Sequence, residues 1–172
     1  MLDSNKIPNY KKTDKEMGEI MPLLKNNFLT KNLNEAELQK LANAMKPQKF
    51  AKGQVLIRYG DVGEHYFILS RGNVQVTVYQ KGTPADDPDL KKKQVLTKHM
   101  GAGSGFGELA LLYNDKRSAT IEAVDDCETY TLDGTIFKTL IIKSSIEKRS
   151  RKANFLDQIK LFGKSCFLLT FV

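Results

Sequence analysis

The segment from residue 34 to residue 46 has apolar residues at the spacing of an amphipathic helix. They fall at i, i+3, i+4 and i+7 and are Leu38, Leu41, Ala42 and Met45. Asn34 is followed three positions later by Glu37, which is the pattern of a capping box, and Pro47 ends the run. The pattern therefore predicts one helix over about 34–46.

The first 25 residues carry a weaker helical signal. Met17, Ile20 and Leu24 would share one face of a helix, but Pro22 lies between the last two of them. Because a proline inside a helix removes a hydrogen bond and clashes with the preceding turn, we expect either two short pieces or a helix that begins at Pro22. Segment 1–25 is thus predicted to be loosely ordered or helical.

From Phe50 to Leu132 the apolar period changes from 3.6 to 2, and turns that contain glycine appear at short intervals. Short strands rich in β-branched and aromatic residues are predicted at 55–57, 66–69, 74–78, 94–96, 120–123 and 129–132. Their number and spacing favour a β jelly roll or barrel over about 48–132. Residues 80–93 hold two prolines and three aspartates, so we expect an exposed loop that tolerates change.

Two apolar sets at helical spacing follow Asp133, which suits an N-cap. They are Phe137, Leu140 and Ile141, and, after a basic stretch, Phe155, Leu156 and Ile159. Helices are therefore predicted over about 134–162. The predicted fold class is mainly β with flanking helices, in which a jelly-roll barrel lies between an N-terminal helical bundle and C-terminal hinge helices. The apolar tail 163–172 is expected to be buried.

The composition places the chain among globular proteins. Of its 172 residues 41% are hydrophobic and 27% are charged, and the mean hydropathy is −0.39. No apolar run approaches the roughly 20 residues of a spanning helix, and the polar N-terminus is unlike a signal peptide, so we expect no membrane insertion and a cytoplasmic location. Cys127 and Cys166 are then expected to be free thiols.

The net charge of +7 and the pI near 9.3 favour an anionic partner. A nucleic acid, a membrane surface and a small phosphate compound all meet that requirement, and charge alone does not choose among them. Much of the excess lies at 91–93 and 143–152, where a solvated surface is the ordinary interpretation of a charge run.

Catalytic and metal-binding signatures are absent from the sequence. His65 and His99 cannot supply the several imidazole ligands of a jelly-roll metalloenzyme. Gly163-Lys164-Ser165 imitates the end of a phosphate-binding P-loop, but Gln158 stands where that motif requires glycine. No protein-kinase signature occurs. We therefore expect a protein that is not an enzyme and that has no catalytic residues and no metal site.

The most informative segment runs from Gly105 to Leu112 and continues at Arg117. A glycine that opens a short helical turn leaves backbone N–H groups at the N-terminus of that turn, where a phosphate can bind. Glu108 in the same turn would repel that phosphate unless its carboxylate accepts a donor of its own, such as a sugar hydroxyl. Arg117 supplies a planar fork that pairs with two phosphate oxygens at once. Together these residues describe a site for a ribose that carries a phosphate.

The run F-G-E-L-A-L-L-Y-N-D-K-R-S-A-T at 106–120 resembles the phosphate-binding cassette of cyclic-nucleotide-binding domains. The pattern G-D-V-G-E-H-Y-F-I-L-S-R-G-N-V-Q-V at 60–76 is similar to the signature that precedes the cassette in that family. The resemblance covers roughly 26–162 and looks closest to the first of two tandem domains in cAMP-dependent kinase regulatory subunits and cGMP-dependent kinases. It ends at 163–172, where a truncated second domain and a divergent ending both fit.

The resemblance implies a domain over 26–162, with a cassette at 105–120 that takes cAMP or cGMP as its ligand and needs no cofactor. Glu108 would accept the ribose 2′-OH, and Arg117 would bind the exocyclic oxygens of the cyclic phosphate. Backbone N–H groups would complete the site at Gly107, Leu109, Ala110 and Ala119.

The resemblance leaves the purine open. Ser118 stands where alanine is typical of cAMP sites and threonine of many cGMP sites, and serine falls between the two. Its hydroxyl could bond the guanine amino group or simply contact the phosphate, and cAMP is expected to be slightly favoured over cGMP. Val95, Leu96 and Met100 either wall the base or belong to the ordinary barrel core. Phe155, Leu156 and residues outside this chain are all candidates for a lid over the purine.

By resemblance the domain is a switch that binds a cyclic nucleotide and acts through its C-terminal helices on a kinase catalytic subunit or domain. The main alternative is an interaction module with the same fold and a vestigial pocket. A transcription regulator shares the sensing domain, but the chain after 152 lacks room for a helix-turn-helix, so no nucleic-acid partner is expected. The chain could also be a fragment of a cyclic-nucleotide-gated channel, but the sequence has no membrane segment to support that interpretation.

Overall fold

The computed structural model describes residues 7–27, 29–31, 33–80 and 82–140. Its elements are α1 (Asp14–Asn26), α2 (Glu35–Ala44), β1 (Lys46–Phe50), β2 (Val55–Ile57), β3 (His65–Arg71), β4 (Asn73–Tyr79), a 3₁₀ turn (Leu90–Lys93), β5 (Gln94–Gly101), β6 (Gly105–Phe106), α3 (Glu108–Tyr113), β7 (Ala119–Ala123) and β8 (Cys127–Asp133). Residues 134–140 are again helical.

The strands form two four-stranded antiparallel sheets, one in the order β1-β8-β3-β6 and the other in the order β2-β7-β4-β5. Strands that are distant in sequence are neighbours in both sheets, as in jelly rolls. The space between the sheets is filled by apolar side chains, among them Phe67, Leu69, Val74, Phe106 and Ile121. The predicted class, mainly β with flanking helices, is confirmed in the form of a two-sheet sandwich.

A second apolar cluster lies between the helices and the outer face of the first sheet. In β3 the side chains of Tyr66 and Ile68 belong to this helical cluster, while Phe67 and Leu69 belong to the cluster between the sheets. Because helices cover one face of this sheet and strands cover the other, β3 is apolar over four consecutive residues rather than alternating.

The N-terminal helix differs from the prediction. It is one continuous helix from Asp14, and it passes through Pro22 instead of beginning there. Thr13 and Glu16 form a capping box at its start. Ile20 and Leu24, on either side of Pro22, are completely buried in the helical cluster, and this packing holds the helix although Pro22 lacks an N–H donor.

The second helix and the strands β1 and β5 follow from local signals to different degrees. The capping box at α2 is present, since Asn34 Oδ1 accepts from the Glu37 N–H at 2.9 Å and Glu37 Oε2 accepts from the Asn34 N–H at 2.7 Å. Strand β1 was not predicted, because it is largely exposed and contains Pro47, which an edge strand tolerates. Strand β5 continues five residues beyond its predicted end at Leu96, also as an edge strand.

The helical stretch 134–140 packs onto this framework. Asp133 Oδ1 accepts hydrogen bonds from the N–H groups of Thr135 at 2.8 Å and Ile136 at 3.3 Å, as its N-cap position predicts. The ring of Phe137 is completely buried, 4.7 Å from the ring of Tyr66. The predicted helices beyond 140, the basic stretch at 143–152, Phe155, Leu156, Cys166 and the tail 163–172 lie outside the described residues.

Candidate functional site

The cassette begins with a left-handed turn. Gly107 has φ +88° and precedes α3 as its N-cap residue. A Cβ atom at this position would lie 2.7 Å from Arg117 Nη1 and 3.0 Å from the carbonyl oxygen of His65. Both the backbone angle and the close approach therefore require glycine here.

A cavity of about 370 Å³ lies between α3 and the second sheet. Its lining includes every residue that the sequence assigned to the site, namely Gly107, Glu108, Leu109, Ala110, Arg117, Ser118 and Ala119. The fold thus brings the two parts of the cassette, separated by the helix α3, to the same space.

Arg117 is a buried cation, with only 6% of the residue exposed. Its Nη1 donates to the carbonyl oxygen of Gly107 at 2.6 Å, and its Nη2 donates to that of His65 at 2.7 Å. A guanidinium has five N–H groups, so these two bonds do not exhaust its donors. Burial lowers the pKa of Arg117, and the negative charges of Glu108, Asp61 and Glu64 oppose that effect.

Glu108 is half-buried in the first turn of α3 and lines the same cavity. Its charge acts on Arg117 and also on the phenol of Tyr66, whose pKa is raised mainly by burial and further by Glu108. An acidic group and a guanidinium therefore face one cavity and interact electrostatically. A ribose that carries a phosphate calls for such a pair, because the carboxylate can accept a hydrogen bond from a hydroxyl and the guanidinium can donate to an anion.

The first turn of α3 adds donors to this pair. The N–H groups of the first residues of a helix have no partner within the helix, and Leu109 and Ala110 occupy these positions beside the cavity. Their orientation and the local dipole favour an anion.

The opposite wall is apolar and comes mainly from the second sheet. Of the three residues considered either for the wall or for the ordinary core, Leu96 and Met100 line the cavity and Val95 does not. Successive side chains of a strand point to opposite faces, and Val95 is 68% exposed on the other face of β5. Val76, Val78, Ile57 and Ile121 were missed as wall residues.

Lys98 also lines this wall and was missed by the sequence analysis. It lies two residues from both Leu96 and Met100 on β5 and shares their face. A prediction of β5 that continued past residue 96 would have placed Lys98 on this face, because every second residue of a strand points to the same side. Among the described residues, no group of three or more His, Cys, Asp or Glu side chains is placed to hold a metal ion.

Comparison with known proteins agrees with this geometry. The cyclic nucleotide-binding domain family matches residues 47–144, more than half of the chain. The chain belongs to the cyclic nucleotide-binding domain family. Its match includes both sheets and the whole cassette, so the resemblance of residues 60–76 and 106–120 to this family is confirmed.

Several relatives are kinase regulators or kinases. A cAMP-dependent protein kinase regulatory subunit of Blastocladiella emersonii is 33% identical over 88% of this chain and 36% of its own length. A cGMP-dependent protein kinase, isozyme 1, of Drosophila melanogaster is 30% identical over 90% of this chain and 18% of its own length. The chain therefore spans about a third or less of these two relatives.

A solved structure gives the same result for the fold. The regulatory domain of Toxoplasma gondii PKA, solved with cAMP, superimposes with a TM-score of 0.69 at 30% identity, covering 86% of this chain and 52% of that one. Within the part of the chain that the structure describes, no helix is long and apolar enough to cross a membrane.

Proposed function

We propose that this chain is a regulatory, non-catalytic module that binds a cyclic nucleotide, with cAMP slightly favoured over cGMP, and passes the binding signal to a protein kinase catalytic subunit or domain. The observation that carries the proposal is that Glu108 and Arg117 line one cavity at the N-terminus of α3, beside a glycine that leaves no room for a side chain. The relatedness to kinase regulatory subunits supports the partner.

The ligand's phosphate is assigned to the guanidinium of Arg117 and to the backbone N–H groups of Gly107, Leu109, Ala110 and Ala119. A singly charged cyclic phosphate compensates the desolvation of Arg117, and its two exocyclic oxygens match the planar fork. The ribose 2′-OH donates to the carboxylate of Glu108, which explains an acidic side chain next to an anion site.

The purine is assigned to the apolar wall formed by Leu96, Met100 and their neighbours, with Ser118 at its edge. The Ser118 hydroxyl either bonds the amino group of guanine or contacts the phosphate, and only the first contact favours cGMP. A single neutral hydrogen bond is worth about 0.5–1.5 kcal/mol, so the preference between the two nucleotides is expected to be small.

Helix α3 is suited to transmit the binding signal. Ala110 lines the cavity, while the next residue, Leu111, belongs to the helical cluster. A Cβ atom at Gly134, in the helical stretch 134–140, would lie 2.5 Å from Leu111 Cδ2, so the two elements are in tight contact. A ligand that binds one position of α3 better than another shifts the packing of that stretch.

The alternative is an interaction module whose pocket takes no nucleotide. One observation favours it, namely that two donors of Arg117 already bind carbonyl groups of the chain, so the fold satisfies part of this cation internally. A thermal-shift assay distinguishes the two functions, because a ligand that binds the folded state raises its melting temperature.

The decisive experiment titrates the whole chain with cAMP and with cGMP side by side in a calorimeter. We expect saturable binding of both nucleotides at one site, with cAMP tighter by less than about tenfold. Ser118→Ala tests purine choice, because a loss of affinity confined to cGMP identifies the bond to guanine and an equal loss for both nucleotides identifies the contact with the phosphate. Absence of heat and of a thermal shift with both nucleotides at millimolar concentration would reject nucleotide binding and leave the interaction module.

A further inference from the structure

The connection between β4 and β5 is mostly exposed, as the sequence predicted, and it also contacts the turn at residues 58–61. We call residues 82–93 the β4–β5 loop. Tyr59 Oη donates to the carbonyl oxygen of Thr83 at 2.7 Å, and the rings of Tyr59 and Tyr79 lie 4.9 Å apart. Gly60 lies directly against Ala85, whose Cβ would clash with a Cβ atom added at Gly60.

The loop is also closed at its base. The N–H of Gln80 donates to the carbonyl oxygen of Lys93 at 2.9 Å, and Lys93 Nζ lies 2.6 Å from Asp87 Oδ2. Asp87 keeps only 14% of its side chain exposed and also accepts from the N–H of Asp89. These contacts give a defined shape to the loop, whose Thr83 carbonyl accepts the hydrogen bond from Tyr59.

The turn that the loop covers holds the backbone of Arg117. The N–H of Gly60 donates to the carbonyl oxygen of Arg117 at 2.9 Å, and the N–H of Arg117 donates to that of Asp61 at 2.8 Å. In addition, the N–H of Tyr59 donates to Thr120 Oγ1 at 3.1 Å. The turn thus fixes both peptide groups of Arg117 and the start of β7.

We infer that Tyr59, clamped by the β4–β5 loop, is a positioning residue that sets the affinity of the site by holding the backbone of Arg117. The inference rests on the proposed function, since it concerns the same nucleotide site. A chain of direct contacts runs from Thr83 through Tyr59 and Gly60 to Arg117. Two parallel bonds to a phosphate depend on the placement of the guanidinium, so a small displacement of its backbone weakens them.

The inference predicts a graded loss of affinity. Tyr59→Phe removes the bond to Thr83 and keeps the ring, and we expect binding of the preferred nucleotide to weaken about two- to fivefold. Tyr59→Ala also removes the ring contact with Tyr79, and we expect a loss of about tenfold or more. Tyr10→Phe is the matched control, because Tyr10 belongs to the N-terminal segment and lines a different cavity.

Ligand analogues separate positioning of Arg117 from a general structural role. Each protein is titrated with the cyclic nucleotide, with its phosphorothioate analogue, in which sulfur replaces an exocyclic oxygen, and with its 2′-deoxy analogue. If Tyr59 acts through Arg117, the ratio of dissociation constants between Tyr59→Phe and the unmodified chain should approach one for the phosphorothioate, because that analogue has already lost part of the bond between Arg117 and the phosphate. The ratio should stay the same for the 2′-deoxy compound as for the cyclic nucleotide itself.

Each outcome decides between the claims. An equal loss of affinity for all three ligands, or an unchanged affinity of Tyr59→Phe and Tyr59→Ala, would overturn the role of Tyr59. Neither result would contradict the proposed nucleotide site. Failure of the unmodified chain to bind any of the ligands would instead overturn the proposed function itself. A fall in melting temperature without a ligand-dependent change in affinity would identify Tyr59 as structural only.

Discussion

Arg117 shows how a single buried charge is held ready for an anion. Its guanidinium bonds two carbonyl oxygens, and among the residues that the structure describes no ion pair joins it to a carboxylate. Carbonyl dipoles stabilise the cation without cancelling its charge, and the negative residues around it act at longer range. The residual positive charge is what a cyclic phosphate would meet in the cavity.

Replacing Arg117 by lysine should weaken nucleotide binding strongly while the fold persists. Lysine keeps the charge, but its ammonium cannot bond two phosphate oxygens in a plane and also hold the carbonyls of Gly107 and His65. We expect the dissociation constant to rise about 100-fold, which corresponds to roughly 3 kcal/mol. Calorimetry measures the affinity, and thermal unfolding of the ligand-free variant checks the fold.

Glu108→Gln supplies the contrast for that measurement. It should reduce the affinity for the nucleotide with a free 2′-OH more than the affinity for its 2′-deoxy analogue, because the lost acceptor faces the sugar. Arg117→Lys should affect both compounds alike. An affinity of Arg117→Lys within twofold of the original, or equal behaviour of the two variants toward the 2′-deoxy analogue, would contradict the assigned roles.

At the scale of elements, α3 depends on its surroundings. A helix of six residues has too few internal hydrogen bonds to persist alone, so its position is set by packing. On one side Leu111 enters the helical cluster, and on another the backbone of Gly63 lies against Ala110. A Cβ atom at Gly63 would lie 2.5 Å from Ala110 Cβ and 3.4 Å from Arg117 Cζ.

Gly63→Ala should therefore push α3 away from the cavity. We expect nucleotide affinity to fall about tenfold or more and the free energy of unfolding to fall by about 1–3 kcal/mol, the usual cost of overpacking. Calorimetry and denaturant unfolding measure the two effects.

Gly18→Ala is the matched control, since an added Cβ in the middle of α1 meets nothing within 4 Å. It should stabilise the chain by about 0.5–1 kcal/mol, as alanine does relative to glycine inside a helix, and leave affinity unchanged. If Gly63→Ala behaved in the same way, the tight contact between Gly63 and α3 would not control the site.

At the scale of the whole molecule, two apolar clusters share the first sheet, and the phenols of Tyr66 and Tyr130 are buried on its helical side. Burial raises the pKa of Tyr130 to about 12, and the negative charges of Glu19 and Glu16 add to the shift. The pKa of Tyr66 is raised in the same direction. Both groups thus hold their protons more tightly in the folded chain than in the unfolded chain.

This arrangement predicts a loss of stability at alkaline pH. Between about pH 10, where an unfolded tyrosine titrates, and pH 12 the unfolded chain binds fewer protons than the folded chain, so the free energy of unfolding falls as pH rises. The contribution is complete below pH 10. We expect Tyr130→Phe to reduce the slope by at most about 1.4 kcal/mol per pH unit, measured by urea unfolding across this range.

Tyr113→Phe is the control, because Tyr113 is 76% exposed on α3. The free energy of unfolding of this variant should change with pH at the same slope as that of the unmodified chain. Equal slopes for Tyr130→Phe and the unmodified chain would show that Tyr130 does not contribute to the alkaline transition.

The sequence alone was informative wherever the relevant interaction is local. The capping box of Asn34 and Glu37 spans four residues, and the structure contains it. The cassette is a continuous run, so its glycine, acid and arginine were recognisable by spacing, and the structure places all seven candidate residues around one cavity. The binding roles of these residues remain predictions.

Other features depend on residues far apart in the chain. The continuity of α1 through Pro22 follows from burial of its neighbours, and β1 exists because β8 lies beside it. Val95 points away from the cavity because of the pleat and register of β5, which its composition does not reveal.

What this sequence determined by itself is which residues make up the candidate site and where most of the helices and strands lie, because caps, turns and periodic apolar positions act over a few residues. Only the tertiary structure decided which carbonyl groups hold Arg117 and which loop covers the turn beside it. Those contacts join residues 52 positions apart for Arg117 and His65, and 24 for Tyr59 and Thr83. Such pairs meet only after strands that are distant in the chain have come together, since no local pattern encodes their distance.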